Sequence, residues 1–222
     1  METVKNKAGA LLKILSGIII VFNFIVGIWA YPNLPDRVPS HWNAAGQIDG
    51  YVGPLAGAFL FPSILIGIYI LFWIIPYIDP KKTNYAQMGK VLWIIGFTTI
   101  LFMSMIYLGT IGVGLGYLEN LPRWSFSGIG ILFIIIGNYF GKIKYNYTMG
   151  IRSPWTLASE EVWYKTHRFA GPIWIVGGVI MALIGFLPAD WVASMVIGVI
   201  VLISGLPLGY SYWLYRKISS DK

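Results

Sequence analysis

Two stretches of the chain hold most of the side chains that can do chemistry. The first, residues 31–51, reads YPNLPDRVPSHWNAAGQIDGY. His41, one of two histidines, lies close in sequence to Asp36 and Asp49. An imidazole among carboxylates can hold a divalent ion, but this spacing follows no short metal signature and offers a single strong nitrogen donor. His41 and Asp49 are thus metal candidates beside two other readings. One is a hydrogen bond from His41 into the folded loop. The other is recognition of an external ligand by His41, Trp42, Asn43 and Asp49. General-base chemistry lacks a nucleophile with a readable context.

The second stretch, residues 141–171, reads GKIKYNYTMGIRSPWTLASEEVWYKTHRFAG. Ser159 suits a helix N-cap, and Glu160 and Glu161 then fall in a first turn where negative charge suits the dipole. Lys165, His167 and Arg168 follow, with Glu161 and Lys165 spaced to pair. Arg152 can make bidentate bonds to a carboxylate or phosphate, and Glu160 and Glu161 are near in sequence. Trp163, Thr166 and Ala170 share a helical face. With Trp155 and Phe169 added, the segment reads as a short amphipathic helix along the inner leaflet. It fits an anchored connector, a docking site for a cytoplasmic protein, or a phosphate or headgroup site built from Arg152, Lys165 and Arg168.

The elements that carry these stretches follow from composition. Of 222 residues, 57% are hydrophobic and 11% charged, against about 25% charged in soluble domains. No charge occurs from Gly53 to Ile78 or from Val91 to Leu118, and windows that long and apolar read as membrane spans. Six spans are expected, near residues 10–29, 53–77, 91–115, 126–139, 171–187 and 192–215. The first is longer than a signal-peptide core and lacks a small-residue cleavage site, so it reads as a retained helix. Fourteen of the 16 Lys and Arg fall in the N-terminus, the second and fourth loops and the tail, leaving Arg37 and Arg123 on the other side. That asymmetry predicts a plasma-membrane protein with both termini cytoplasmic. The expected fold is all-α: one six-helix membrane domain over 1–222, with an outer motif at 31–52 and an inner motif at 141–171.

The same counts exclude other classes. The chain has no cysteine, so no disulfide, cysteine nucleophile or thiolate metal site. The net charge of +7 reads as topology beside anionic lipid rather than as a direct nucleic-acid surface. No phosphate-loop, HExxH or GxSxG motif occurs, so no enzyme and no cofactor are expected. The spans carry no central ionisable group, and Asn23 and Asn138 are the main amides. Each is expected either in a helix–helix hydrogen bond or against a substrate. In the outer loop Pro32, Pro35 and Pro39 favour extended backbone, and Asp49-Gly50 is expected to close a tight turn before the second span. The loop should fold back as a compact cap.

Both motifs carry a resemblance. Leu34-Pro35-x-x-Val38-Pro39-x-His41-Trp42-Asn43-x-x-Gly46-x-x-Asp49-Gly50 resembles the DUF1648 segment that follows a first helix in many bacterial membrane proteins. Gly150-Ile151-Arg152-Ser153-Pro154-Trp155-Thr156-Leu157, continuing through Glu160-Glu161-Val162-Trp163 to Thr166-His167-Arg168, resembles the SdpI family. The resemblance implies a non-enzymatic immunity protein that protects its cell from a secreted toxic peptide of the SdpC type. It also implies relay of that peptide's presence to an ArsR-type autorepressor inside. On this sequence the outer site would involve His41, Trp42, Asn43 and Asp49. The inner one would involve Arg152, Trp155, Glu160, Glu161 and His167, with Trp163 and Arg168 beside them. One departure is Ala158, where a Ser would complete a capping box with Glu161. The residues alone leave two alternatives: a transporter or channel for a small solute, peptide or lipid, and a leaflet-surface membrane enzyme.

Overall fold

A computed structural model describes residues 2–43, 46–119 and 124–220. Helix α1 (Glu2–Ala30) leads through a 3-10 turn at Tyr31–Asn33 into strands β1 (Val38–Trp42) and β2 (Ile48–Val52). Helices α2 (Pro54–Ile78), α3 (Lys82–Gly114) and α4 (Trp124–Phe140) follow. Then come the short α5 (Pro154–Ala158), α6 (Glu160–Ile184) and α7 (Ala189–Ser220). Among the described residues five helices are long and apolar enough to cross a membrane, and α4 is apolar but shorter at 17 residues.

Several boundaries differ from the sequence reading. Helix α3 begins at Lys82, nine residues before the apolar window. Its polar start is still good helix sequence, and polarity alone does not end a helix. The expected short amphipathic helix does not lie apart along a leaflet. Its residues form the opening turns of α6, which runs unbroken through Pro172. The short helix that does exist is α5, opened by a Ser153 cap that accepts from Thr156 N–H, with Pro154 in its first turn. In the outer loop Asp49 and Gly50 lie within β2 and make no turn. The chain reverses earlier, where Asn43 N–H donates to Gln47 O at 2.9 Å and Gly46 takes a φ of +79°. The antiparallel hairpin is a small addition to an otherwise helical fold, with Val38 opposite Val52 and irregular register around His41.

Packing gives two groups of helices. In the first, α1, α2 and α3 enclose Ile20, Leu65 and Ile100. Asn23 on α1 donates to Ser104 on α3 at 2.8 Å, and Tyr107 donates to Ala58 O at 2.8 Å. In the second, α6 and α7 bury Met181, Ile184, Val199 and Ile203. Helix α4 lies against α6 with Gly137 beside Gly171 and Gly130 beside Gly178, a backbone approach that only small residues permit. The groups meet around Met88, Leu92, Phe140, Ile143 and Trp163.

This packing gathers the two sequence motifs at opposite ends. At one end Val38 is fully buried against Gly57 and Gly114, seating the hairpin on the start of α2 and the end of α3. At the other end the segment 141–153 lies over the α2–α3 connection, and α5 lies over α7.

Candidate functional site

The hairpin is held by its apolar side and leaves its polar side open. His41 Nδ1 lies 2.5 Å from Asp49 Oδ1 across the strands, with 70% and 44% of those side chains exposed. Asn43 Oδ1 accepts from Gln47 N–H at 3.0 Å, and its Nδ2 donates to Gln47 Oε1 at 3.1 Å. Asn43 thus shapes the turn. The Trp42 indole N–H is buried and meets no acceptor among the described residues. Arg37 stacks over Tyr51 at 4.4 Å. No three His, Asp or Glu side chains gather about one point among the described residues. His41 and Asp49 are instead matched to each other. The pair can present the imidazole Nε2 and a carboxylate oxygen side by side to a ligand.

The opposite end, at residues 141–168, is built the other way. Asn146 is fully buried and acts as a hub. Its Oδ1 accepts from Thr148 N–H at 2.9 Å, Met149 N–H at 2.6 Å and the Tyr85 hydroxyl at 3.1 Å. Its Nδ2 donates to Lys144 O at 2.8 Å and Met149 O at 2.9 Å. Beside it the Asp79 carboxylate accepts from Lys81 N–H at 2.7 Å, Thr148 Oγ1 at 2.8 Å, Tyr147 N–H at 2.9 Å and the Tyr85 hydroxyl at 3.2 Å. Burial alone would raise its pKa, but those donors outweigh it and hold the carboxyl below its ordinary value. Tyr85 and Thr148 also touch through their hydroxyls. Burial, with the Tyr147 hydroxyl alongside, pushes Tyr145 up to about 12.

His167 and Trp163 belong to this buried framework. Both are fully buried, with rings stacked 4.1 Å apart. His167 Nε2 accepts from Ile151 N–H at 3.0 Å, and its Nδ1 lies 2.8 Å from Trp163 O. These partners fix one tautomer, with the proton on Nδ1. Gly150, at φ +119°, passes directly over His167, where a Cβ would collide with Nε2 and the Trp163 ring. The Trp163 indole donates to Ile143 O at 3.1 Å. Ser153 reaches Ser211 on α7 at 3.0 Å, and Trp155 packs on Tyr212 at 5.0 Å.

The exposed residues of the inner motif form a separate set. Arg152 donates to Tyr147 O at 3.1 Å, and among the described residues no ion pair joins it to Glu160. Glu160 faces Lys81 at 3.7 Å, and Glu161 holds Lys165 at 2.6 Å. Lys165 is thus committed to a carboxylate rather than to a phosphate site with Arg152 and Arg168. Arg168 is exposed. The Trp163–Thr166–Ala170 face, expected against lipid, is buried against protein. Of the two amides, Asn23 is buried on Ser104, whereas Asn138 is exposed near the end of α4. Sequence reasoning missed Asp79, Tyr85, Thr148 and Ser211. Only Thr148 lies in a motif stretch, and Asp79 meets it across 69 positions.

Both motifs also match known families. The model of the SdpI/YfhL protein family matches residues 142–211, and that of the Domain of unknown function DUF1648 matches residues 18–66. The chain is 27% identical over 210 residues to the Immunity protein SdpI of Bacillus subtilis (strain 168), covering 95% of this chain and 99% of that protein. Over residues 142–211 the chain is thus similar to the SdpI/YfhL protein family. No solved structure matches it. The SdpI-type match contains Asn146 and Thr148 of the buried hub, α5 and α6, and ends at Ser211, the α7 residue that Ser153 touches; Asp79 and Tyr85 join the hub from outside it. The family segment is therefore one packed unit rather than a free loop. The DUF1648 match takes in the hairpin, the later part of α1 and the first half of α2, but not the end of α3 on which Val38 also rests.

Proposed function

We propose that the chain is a multi-pass plasma-membrane immunity protein that protects its cell against a secreted toxic peptide. The observation that carries this reading is the end-to-end similarity to an immunity protein, which leaves neither motif without a counterpart span of chain. In this reading α4 crosses as a sixth span. Its 17 residues rise about 25 Å, and its close contact with α6 supports it through a thin stretch of bilayer. Both termini are cytoplasmic, as the clustering of Lys and Arg favours. The hairpin then lies outside, where His41, Asp49 and Trp42 receive the peptide. The exposed inner residues Arg152, Glu160, Glu161 and Arg168 face the cytoplasm and relay its presence to an ArsR-type repressor. A transport groove is disfavoured, because Asn23 is tied to Ser104 and Asn138 lies apart on an outer surface.

The test is survival. A toxin-sensitive bacterium expressing the chain should resist an SdpC-type secreted peptide. Arg152→Ala should abolish repressor capture while membrane levels stay native. Full protection by His41→Ala, Asp49→Ala and Arg152→Ala alike would sink the assignment of these residues. Because the chain lacks cysteine, single-cysteine labelling tests the topology. A cysteine at Asp49 should react in intact cells, and one at Arg168 only after permeabilisation.

A further inference from the structure

A cleft of about 670 Å³ opens among the first turns of α1, the last turns of α2 and the start of α3. It belongs to neither motif. Lys13, Lys82 and Lys90 line it, together with Trp73, Tyr77 and Trp93. Lys13 Nζ sits 3.9 Å over the Trp73 ring and 5.1 Å from that of Trp93, which is 4% exposed. Trp73 lies five residues before the end of α2, so this ammonium is drawn roughly 8 Å inside the helix end. A lone lysine near a span end ordinarily extends toward the headgroup level. Here it is held between two indoles, and none of the three lysines forms an ion pair among the described residues. The nearest carboxylate in sequence to Lys82, Asp79, is occupied by its four donors.

A cation among aromatic walls without a counter-charge calls for an anion. The walls say which kind. On the neighbouring flanks of α1 and α2, Leu11, Ile14, Ile70 and Ile74 are exposed apolar residues. As flanks of membrane spans they face lipid, so an amphiphile's chains can continue along them while its headgroup enters the cleft, a fit that a wholly soluble anion lacks. We propose that this cleft binds the phosphodiester headgroup of an anionic phospholipid, with Lys13, Lys82 and Lys90 receiving the phosphate and Trp73 and Trp93 walling its glycerol. Lys82 and Lys90 stand about two turns apart on α3, about 12 Å, and Lys13 joins them in lining the cleft from α1.

Native mass spectrometry of the full-length protein, released from micelles holding equal phosphatidylglycerol and phosphatidylcholine, tests this. The native chain should retain one phosphatidylglycerol in preference. The K13Q/K82Q/K90Q variant should bind it about ten-fold more weakly, and K13Q alone less severely. K13R/K82R/K90R should keep the preference, separating charge from folding. K142Q/K144Q/K217Q, which removes the same charge at the same end, should behave as native. Undiminished binding by both K13Q variants overturns the proposal, and so does equal loss in the charge-matched control, which would mean general surface attraction. Displacement of the lipid by equimolar glycerol 3-phosphate also overturns it, by assigning the cleft to a soluble phosphate.

Discussion

The hairpin at one end and the segment 141–168 at the other are both rich in polar side chains, yet they use them in opposite ways. At the hairpin the apolar residue Val38 provides the anchorage, and the polar pair His41–Asp49 stands in the open. At the other end Asn146, Thr156 and His167 are themselves the anchorage and are fully buried. A motif of polar residues is therefore not by itself a binding surface. What decides is whether each donor and acceptor is already taken. The segment 141–168 divides by burial into a hub closed to solvent and a set of exposed charges at the surface.

The sharpest way to break this contrast is Gly150→Ala. The strained φ and the collision with His167 and Trp163 should cost about 3 kcal/mol, read as loss of the monodisperse peak in gel filtration of detergent-solubilised protein. Asn146→Leu should follow closely. It strands several buried donors, at about 1–3 kcal/mol, and thermal unfolding would show the drop. A third test uses pH. The Asp79 carboxyl is held below its ordinary value in the folded protein, so its stabilisation is fully present above the unfolded pKa of about 3.9. That stabilisation is lost as the pH falls below this value toward the folded pKa. The thermal midpoint should decline over that acid window, and Asp79→Asn should flatten the decline while lowering stability at pH 7. The smallest structural effect belongs to the other end. His41→Ala and Asp49→Ala should leave stability within about 0.5 kcal/mol of native while reducing survival in the toxin challenge. A large thermal loss from either would erase the distinction between the two ends.

Much of the architecture was legible in the chain. The charge-free windows placed α2 and most of α3, because a membrane helix cannot easily hide ionised groups. The caps at Ser159 and the Glu161–Lys165 pair were legible because they are local in sequence. Failures came where distant residues decide. Asp49-Gly50 has turn chemistry, but the reversal at Asn43–Gln47 and the seating of Val38 place those residues in a strand. His167 sits amid charged neighbours in sequence, yet α6 points it at Gly150 and Ile151. The change from polar to apolar composition near Gly171 suggested a break. Backbone hydrogen bonding is indifferent to that change, and the helix continues. The hub escaped notice because Asp79 and Tyr85 contribute to it from another loop and helix.

The contact of Gly130 with Gly178 and of Gly137 with Gly171 has a mechanical consequence. Where two backbones touch without intervening side chains, sliding one helix by a residue drives a Cβ into its partner. Helices α4 and α6 are thus geared in a single register along their shared length. A disturbance at either end of this pair cannot be absorbed by slippage between them and must be passed on as displacement of both together.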